Sequence, residues 1–203
     1  NYNSERYRNL QDRMMPHFFF NAINTVHSLI LSNQEKAVQA ILTLSDIYHY
    51  IVDRSFELLV PFMEEWVFVE NYLEFEKIRY PKTLSYSCDM TGNFDGIMIP
   101  PLSIQPLAGN AIKHGLRKRE GAGSVSIFAS IENSNVRIEV TDDGAGIDCP
   151  DPFTRSLGNI RDRLRFHFPD ADLHLTANGD TGARSVIQYT TTGKQPDETE
   201  YDI

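Results

Sequence analysis

The apolar residues of this 203-residue chain change period once, near Pro81. A segment can satisfy a helical repeat or a two-residue repeat, but not both. Before Pro81 the spacing is helical. Leu10, Met14, Phe18, Ile23, Val26 and Ile30 form one stripe, with Pro16 inside it as a kink or a new start. Ser32–Asn33 punctuates, and a second helix is expected from about Gln34 to Asp53, with Ala37, Ile41, Leu44, Tyr48 and Ile51 on one face. A third begins at Pro61, with Glu64 and Glu65 near its positive end, and stops near Tyr80–Pro81. After Pro81 the pattern alternates. Leu84, Tyr86 and Cys88 read as a strand, and Pro101 opens a helix that Gly115 closes. Val125–Ile131 and Val136–Val140 flank the turn residues Glu132–Asn135 and read as a hairpin. A helix over about Gly158–His167 and strands near Leu173–Leu175 and Ser185–Tyr189 follow. The chain therefore reads as α+β: a helical segment over 1–80, an α/β layer over 81–192, and an acidic tail over 193–203 expected to be disordered.

A formal net charge of −9 argues against broad binding to nucleic acid or anionic lipid, which need a basic face. Cys88 and Cys149 belong to no paired spacing, which excludes a disulfide framework or zinc site and suits a reducing compartment. No apolar run approaches the ~20 residues that cross a bilayer, and no signal peptide is visible. A start at Asn1, among charged helix-like residues, reads as a piece of a longer protein.

Four places could carry chemistry. In a continuous first helix, Arg13, His17, Asn21, Asn24 and Ser28 fall within roughly 80° of arc, a polar stripe on a helix that holds Phe18, Phe19 and Phe20 beside His17. A neutral imidazole has a nucleophilic nitrogen that can accept a phosphoryl group, and Asn21 could orient a water or an incoming carboxylate. On this helix alone the favoured reading is a partly buried histidine bonded to Asn21, with the phenylalanines making bundle core. Asn110, Lys113 and His114 share one helix face, where an amide oxygen could ligate Mg²⁺ and a lysine could meet phosphate; a solvent-facing polar edge has the same pattern. Asp142-Asp143-Gly144-Ala145-Gly146 follows a strand. There a carboxylate can accept from an exocyclic amine and glycines let backbone approach a ligand, although Asp-Gly is also ordinary turn chemistry. Leu157–Leu164 enters a helix whose first turn could meet phosphate, with Asn159 at its start and Arg161 and Arg163 adding charge.

In order and spacing these pieces resemble the LytS/YesM-type sensor histidine kinases. Residues 15–24 resemble that family's N-P-H-F-L-F-N-x-L-N phospho-acceptor motif, 44–50 its second-helix pattern, and 70–80 its Y-L-x-I-E-x-x-R-F segment. Residues 100–115 resemble its N box, 142–146 its G1 box, and 159–164 its N-x-x-x-R-L segment. The resemblance implies a helical-hairpin dimerisation segment followed by a Bergerat-type (GHKL) α/β sandwich that binds ATP with Mg²⁺. It implies autophosphorylation of His17, transfer to an aspartate of a response regulator, and a homodimer. It makes the chain the cytoplasmic portion of a membrane sensor whose spanning segments lie upstream. By motif position Asn110 would hold the metal, and Lys113, His114, Asn159 and Arg163 would face the nucleotide. Asp142 would read adenine, with Gly144 and Gly146 shaping the pocket.

Three positions depart from the family pattern. Gly109 stands where the family has Glu, residues 154–157 lack the lid glycines, and Arg13-Met14-Met15 replaces Q-I-N. The first removes a carboxylate near the phosphates or metal, so Gly109 predicts slow turnover that Gly109→Glu would speed, unless the glycine is there for tight packing. A weakly active nucleotide-binding module that signals through dimer conformation is the alternative reading.

Overall fold

The computed structural model describes residues 16–117, 122–146, 155–179 and 181–191. Arg13, Cys149, the stretch 147–154 and the tail over 193–203 lie outside them, as does the His114 side chain. Helix α1 (Pro16–Ser32) starts at the internal proline, a residue suited to a first helical turn. Asn33 separates it from α2 (Gln34–Arg54). Its N–H closes the last turn of α1 on the Leu29 carbonyl at 2.7 Å, while its side chain accepts from the Lys36 N–H at 3.0 Å as the α2 cap. The hairpin closes tightly because Ala22, Ala37 and Ala40 are buried along it.

Helix α3 (Phe62–Arg79) joins hairpin and sheet. Phe62, Trp66, Phe68, Val69, Tyr72, Leu73 and Phe75 are all buried on it, more of its surface than an ordinary amphipathic helix hides. It sits between α2 on one side and β2 (Leu84–Thr91) on the other. The short strands β1 (Val60–Pro61) and β3 (Met98–Ile99) pair antiparallel at its start. Both are too short to carry a readable period, but the Pro100–Pro101 pair marks the end of a strand in the sequence, and β3 ends there.

The main sheet runs β2-β4-β5-β7-β6, with β4 (Gly123–Glu132), β5 (Asn135–Asp142), β6 (Asp172–Ala177) and β7 (Ala183–Thr190). Only β2–β4 is parallel; the remaining pairs are antiparallel. The expected hairpin is β4–β5, with Val125, Ile127 and Ala129 buried opposite Val140 and Ile138. Helices α4 (Gln105–Arg117) and α5 (Arg155–His167) complete the body, α4 against β4 and β5 and α5 against β6. The helix expected to open at Pro101 and close at Gly115 opens at Gln105 and runs through Gly115. Leu102 has φ +56°, a left-handed conformation that interrupts a helix, and this delays the start of α4.

Candidate active site

His17 lies exposed in the first turn of α1 with its Nδ1 3.0 Å from the Asn21 amide nitrogen, one helical turn on. The aromatic residues that follow it have separate uses. Phe18 turns inward and packs against Tyr72 and Phe75 of α3, with ring centroids 5.4 and 5.6 Å away. Phe19 meets Tyr48 of α2, and Phe20 stays exposed. The imidazole is thus held at the surface by a helix anchored through its neighbour.

The Tyr72 anchor leads to the N-box helix. A Cβ built on Gly109 would lie 3.2 Å from the Tyr72 hydroxyl and 3.4 Å from the Gln105 amide nitrogen. Gly109 therefore fits close packing of α3 on α4, which is the second of the two explanations the sequence left open. Tyr72 is buried, and burial pushes its hydroxyl pKa up, with the Glu76 charge acting the same way and the Gln105 hydrogen bond opposing. Asn110, the next residue, is half-buried, and no side-chain hydrogen bond among the described residues engages its amide. Lys113, three residues on, is exposed.

Asp142 ends β5 and is 6% exposed. Its Oδ1 accepts from the Gly144 N–H at 2.9 Å and the Ala183 N–H at 3.3 Å, while its main-chain oxygen accepts from the Asn178 side chain at 3.0 Å. Asp143, just past the end of β5, accepts from the Ser124 N–H at 2.8 Å. Gly146 has φ +81°, a backbone setting that favours glycine. Gly182, which no sequence motif marked, has φ +89°, and a Cβ there would collide with the Asp142 main-chain oxygen. The turn residues Asn178–Gly182 between two strand-like runs were the available sign of that loop.

On α5, Asn159 is exposed while Leu157, Ile160 and Leu164 are buried. Arg163 donates through two nitrogens to the Pro101 and Leu102 carbonyls, at 2.7 and 3.0 Å. Those carbonyls belong to the turn that leads into α4, and its N–H groups have their own partner. Glu65 of α3, fully buried, accepts from the Leu102, Ser103 and Ile104 N–H groups at 2.8–3.0 Å. Burial pushes the Glu65 carboxyl up, and the bonds from Ile104, Tyr50, Leu102 and Ser103 oppose that shift. The sequence placed Glu64 and Glu65 together at the positive end of α3. Both do lie in its first turn; Glu64 also pairs with Arg54 at 2.7 Å, and Glu65 also serves the start of a different helix. A readable sign existed, because Glu65 falls on the same stripe as Phe62, Val69 and Tyr72.

Cys88 is half-buried, and its thiol is pushed up to about 12 by burial and by the Glu70 and Asp89 charges, which leaves it unreactive at neutral pH.

A helical segment joined to a mixed five-stranded sheet with helices on it is the fold of histidine kinase catalytic domains. The histidine kinase domain of a blue-light activated histidine kinase from Erythrobacter litoralis matches with a TM-score of 0.52 at 16% identity, over 84% of this chain and 90% of that one. The family model for histidine kinases matches residues 5–84. The sensor protein LytS of Staphylococcus saprophyticus is 36% identical over 140 residues, 69% of this chain and 24% of its own length. The sensor histidine kinase/phosphatase LytS of Staphylococcus aureus is 34% identical over 186 residues, 91% of this chain and 32% of its own. This chain belongs to the histidine kinase family, among the LytS-type sensor kinases. It spans about a third or less of these two relatives' length.

Proposed function

We propose that this chain is the cytoplasmic core of a two-component sensor, which phosphorylates its own His17 from ATP and passes the phosphoryl group to an aspartate of a response regulator. The observation that carries the reading is the anchoring of the acceptor helix. His17 is exposed, while the adjacent Phe18 packs on Tyr72, whose hydroxyl abuts Gly109 beside Asn110. Acceptor and nucleotide helix share one support.

The residues present fit a nucleotide with a metal. Asp142 is a buried carboxylate oriented by two N–H groups and suits an exocyclic amine. Asn110 offers an amide oxygen for a hard cation, Mg²⁺, which when bound would neutralise phosphate charge. Lys113, His114 and Asn159 are proposed to take part in nucleotide binding, with Gly144 and Gly146 shaping the pocket. Arg163 would act there through the turn it holds. In the transfer, a lone pair on His17 Nε2 forms a bond to the γ-phosphorus as the bond to the bridging oxygen breaks, and ADP leaves with that electron pair. Attack by Nε2 places the ring proton on Nδ1. Asn21 must then present its amide oxygen there, a half-turn of the amide that leaves its position unchanged.

Among the described residues no helix is long and apolar enough to cross a membrane. The spanning and sensing parts are proposed to belong to the larger protein, as the short coverage of the LytS relatives supports. The test is incubation with γ-labelled ATP and Mg²⁺. The intact chain should acquire an acid-labile, base-stable label that His17→Gln does not. Equal labelling of both proteins would remove the assignment.

A further inference from the structure

The hairpin touches the α/β body at several polar points, and most are exposed. Arg54–Glu64 is an ion pair whose side chains are 41% and 36% exposed, and Gln39 donates to Glu74 at 3.2 Å on the surface. Contacts of that kind contribute little to holding two units in one geometry. Tyr50 differs. It lies late on α2, its ring stacked on Phe68 at 4.4 Å, and its hydroxyl donates to Glu65 at 2.5 Å. Glu65 is the buried carboxylate that also accepts the three N–H groups at the start of α4. Arg163 holds the carbonyl side of the same turn. One five-residue turn, Pro100–Ile104, is therefore gripped by an anion on its N–H side and a cation on its carbonyl side. The fourth donor to the anion comes from the helical hairpin that carries His17. Successive N–H groups converging on a carboxylate form a rigid seat, and buried charge-assisted bonds of this kind tolerate little displacement.

We infer that Tyr50 is a positioning residue that couples the phospho-acceptor hairpin to the nucleotide helix: its hydroxyl completes the Glu65 seat, so that the placement of α4, and of Asn110 on it, depends on where the hairpin lies. This rests on the kinase reading above. It carries a reciprocal consequence, because two sites that share one element bias each other equally. A ligand that fixes α4 must also steady the hairpin near Tyr50, and an imposed shift of the hairpin must be felt at Asn110.

The experiment is hydrogen exchange on the full 203-residue chain with and without Mg·ADP, with calorimetry to establish that ADP binds. In the parent, ADP should slow exchange both over residues 102–110 and over 47–54. Tyr50→Phe keeps the ring on Phe68 and removes only the hydroxyl. It should bind ADP within about threefold of the parent and retain slowing over 102–110, but lose at least two-thirds of the slowing over 47–54. Gln39→Ala, which deletes an exposed hairpin contact, should behave as the parent does. At saturating ATP the Tyr50→Phe rate of His17 phosphorylation should fall tenfold or more with little change in KM. A hairpin response in Tyr50→Phe equal to the parent's would overturn the coupling and leave the kinase reading standing, as would the same loss in Gln39→Ala. A parent that binds no ADP by calorimetry would overturn both.

Discussion

A buried carboxylate is tolerated only where donors meet it, and Asp142 is met by the Gly144 and Ala183 N–H groups on one oxygen. Asp142→Asn keeps the shape and removes the charge, so its effect on a bound nucleotide should be chemical. Losing a hydrogen bond to a charged group costs about 1.5–3 kcal/mol, roughly one to two decades of affinity. Calorimetry with ADP should read that loss, and unchanged affinity in a protein of parental melting temperature would rule Asp142 out as the adenine acceptor. Gly109 makes a second case. Alanine in a helix is favoured over glycine by roughly 1 kcal/mol, but here its methyl would stand 3.2 Å from the hydroxyl of a buried tyrosine backed by Phe18. With little room for Tyr72 to retreat, Gly109→Ala should lower the melting temperature. Tyr72→Phe removes the obstructing oxygen, so the double variant should be more stable than the sum of the single effects predicts. Additive effects would show that the contact does not explain the glycine. The same geometry argues that Gly109→Glu destabilises before it can accelerate anything.

At the scale of elements, the long helices and the β4–β5 hairpin were readable because each buries one face and its period follows from that. The start of α4 was not. Its delay to Gln105 depends on Leu102 in a left-handed conformation above Glu65, a residue 37 positions earlier, and no local pattern records a bond of that span. Nor could local spacing assign Arg163, whose charge is turned to the Pro101 and Leu102 carbonyls. The sheet carries its own test in Glu139 of β5, which accepts from Arg184 of β7 at 2.6 Å and from Arg137 at 3.1 Å. Burial alone would push this carboxyl up, but the Arg184 and Arg137 hydrogen bonds outweigh it and hold it below the usual carboxylate range. A group whose pKa is depressed on folding contributes stability that is present above its unfolded value, about 4.3, and lost as pH falls through the folded one. The arginines are partly exposed, so the contribution should be about 0.2–1 kcal/mol. Glu139→Gln should therefore melt lower than the parent at pH 7, by up to about 4 °C, and the difference should close on acidification toward pH 3. A difference that persists unchanged at low pH would show that the pair's charge is not what it contributes.

On the scale of the whole molecule, the hairpin has two unequal sides. One is covered, with Ala40, Ile47 and Ile51 buried against the body and Phe18 packed on α3. Much of its remaining apolar surface is open. On α1, Leu31 is 79% exposed and Ile23 and Ile30 about half; on α2, Val38, Ile41, Leu42 and Val52 are 48–63% exposed. Scattered exposed apolar residues are ordinary on a protein surface, but seven of them on two packed helices are a surface that needs a cover. A second hairpin offers one of matching shape and chemistry, and pairing two hairpins gives a four-helix bundle with both stripes inside. The chain should therefore be a homodimer at micromolar concentration, as light scattering would register. Ile41→Glu with Leu42→Glu, both at exposed positions, would place four carboxylates in that bundle across the two copies. The double variant should run as a folded monomer with ADP affinity close to the parent's, because Asp142, the proposed adenine acceptor, lies on the sheet and not on the hairpin. A parent that is monomeric at that concentration, or a double variant that remains dimeric, would mean that something other than a second hairpin covers this face.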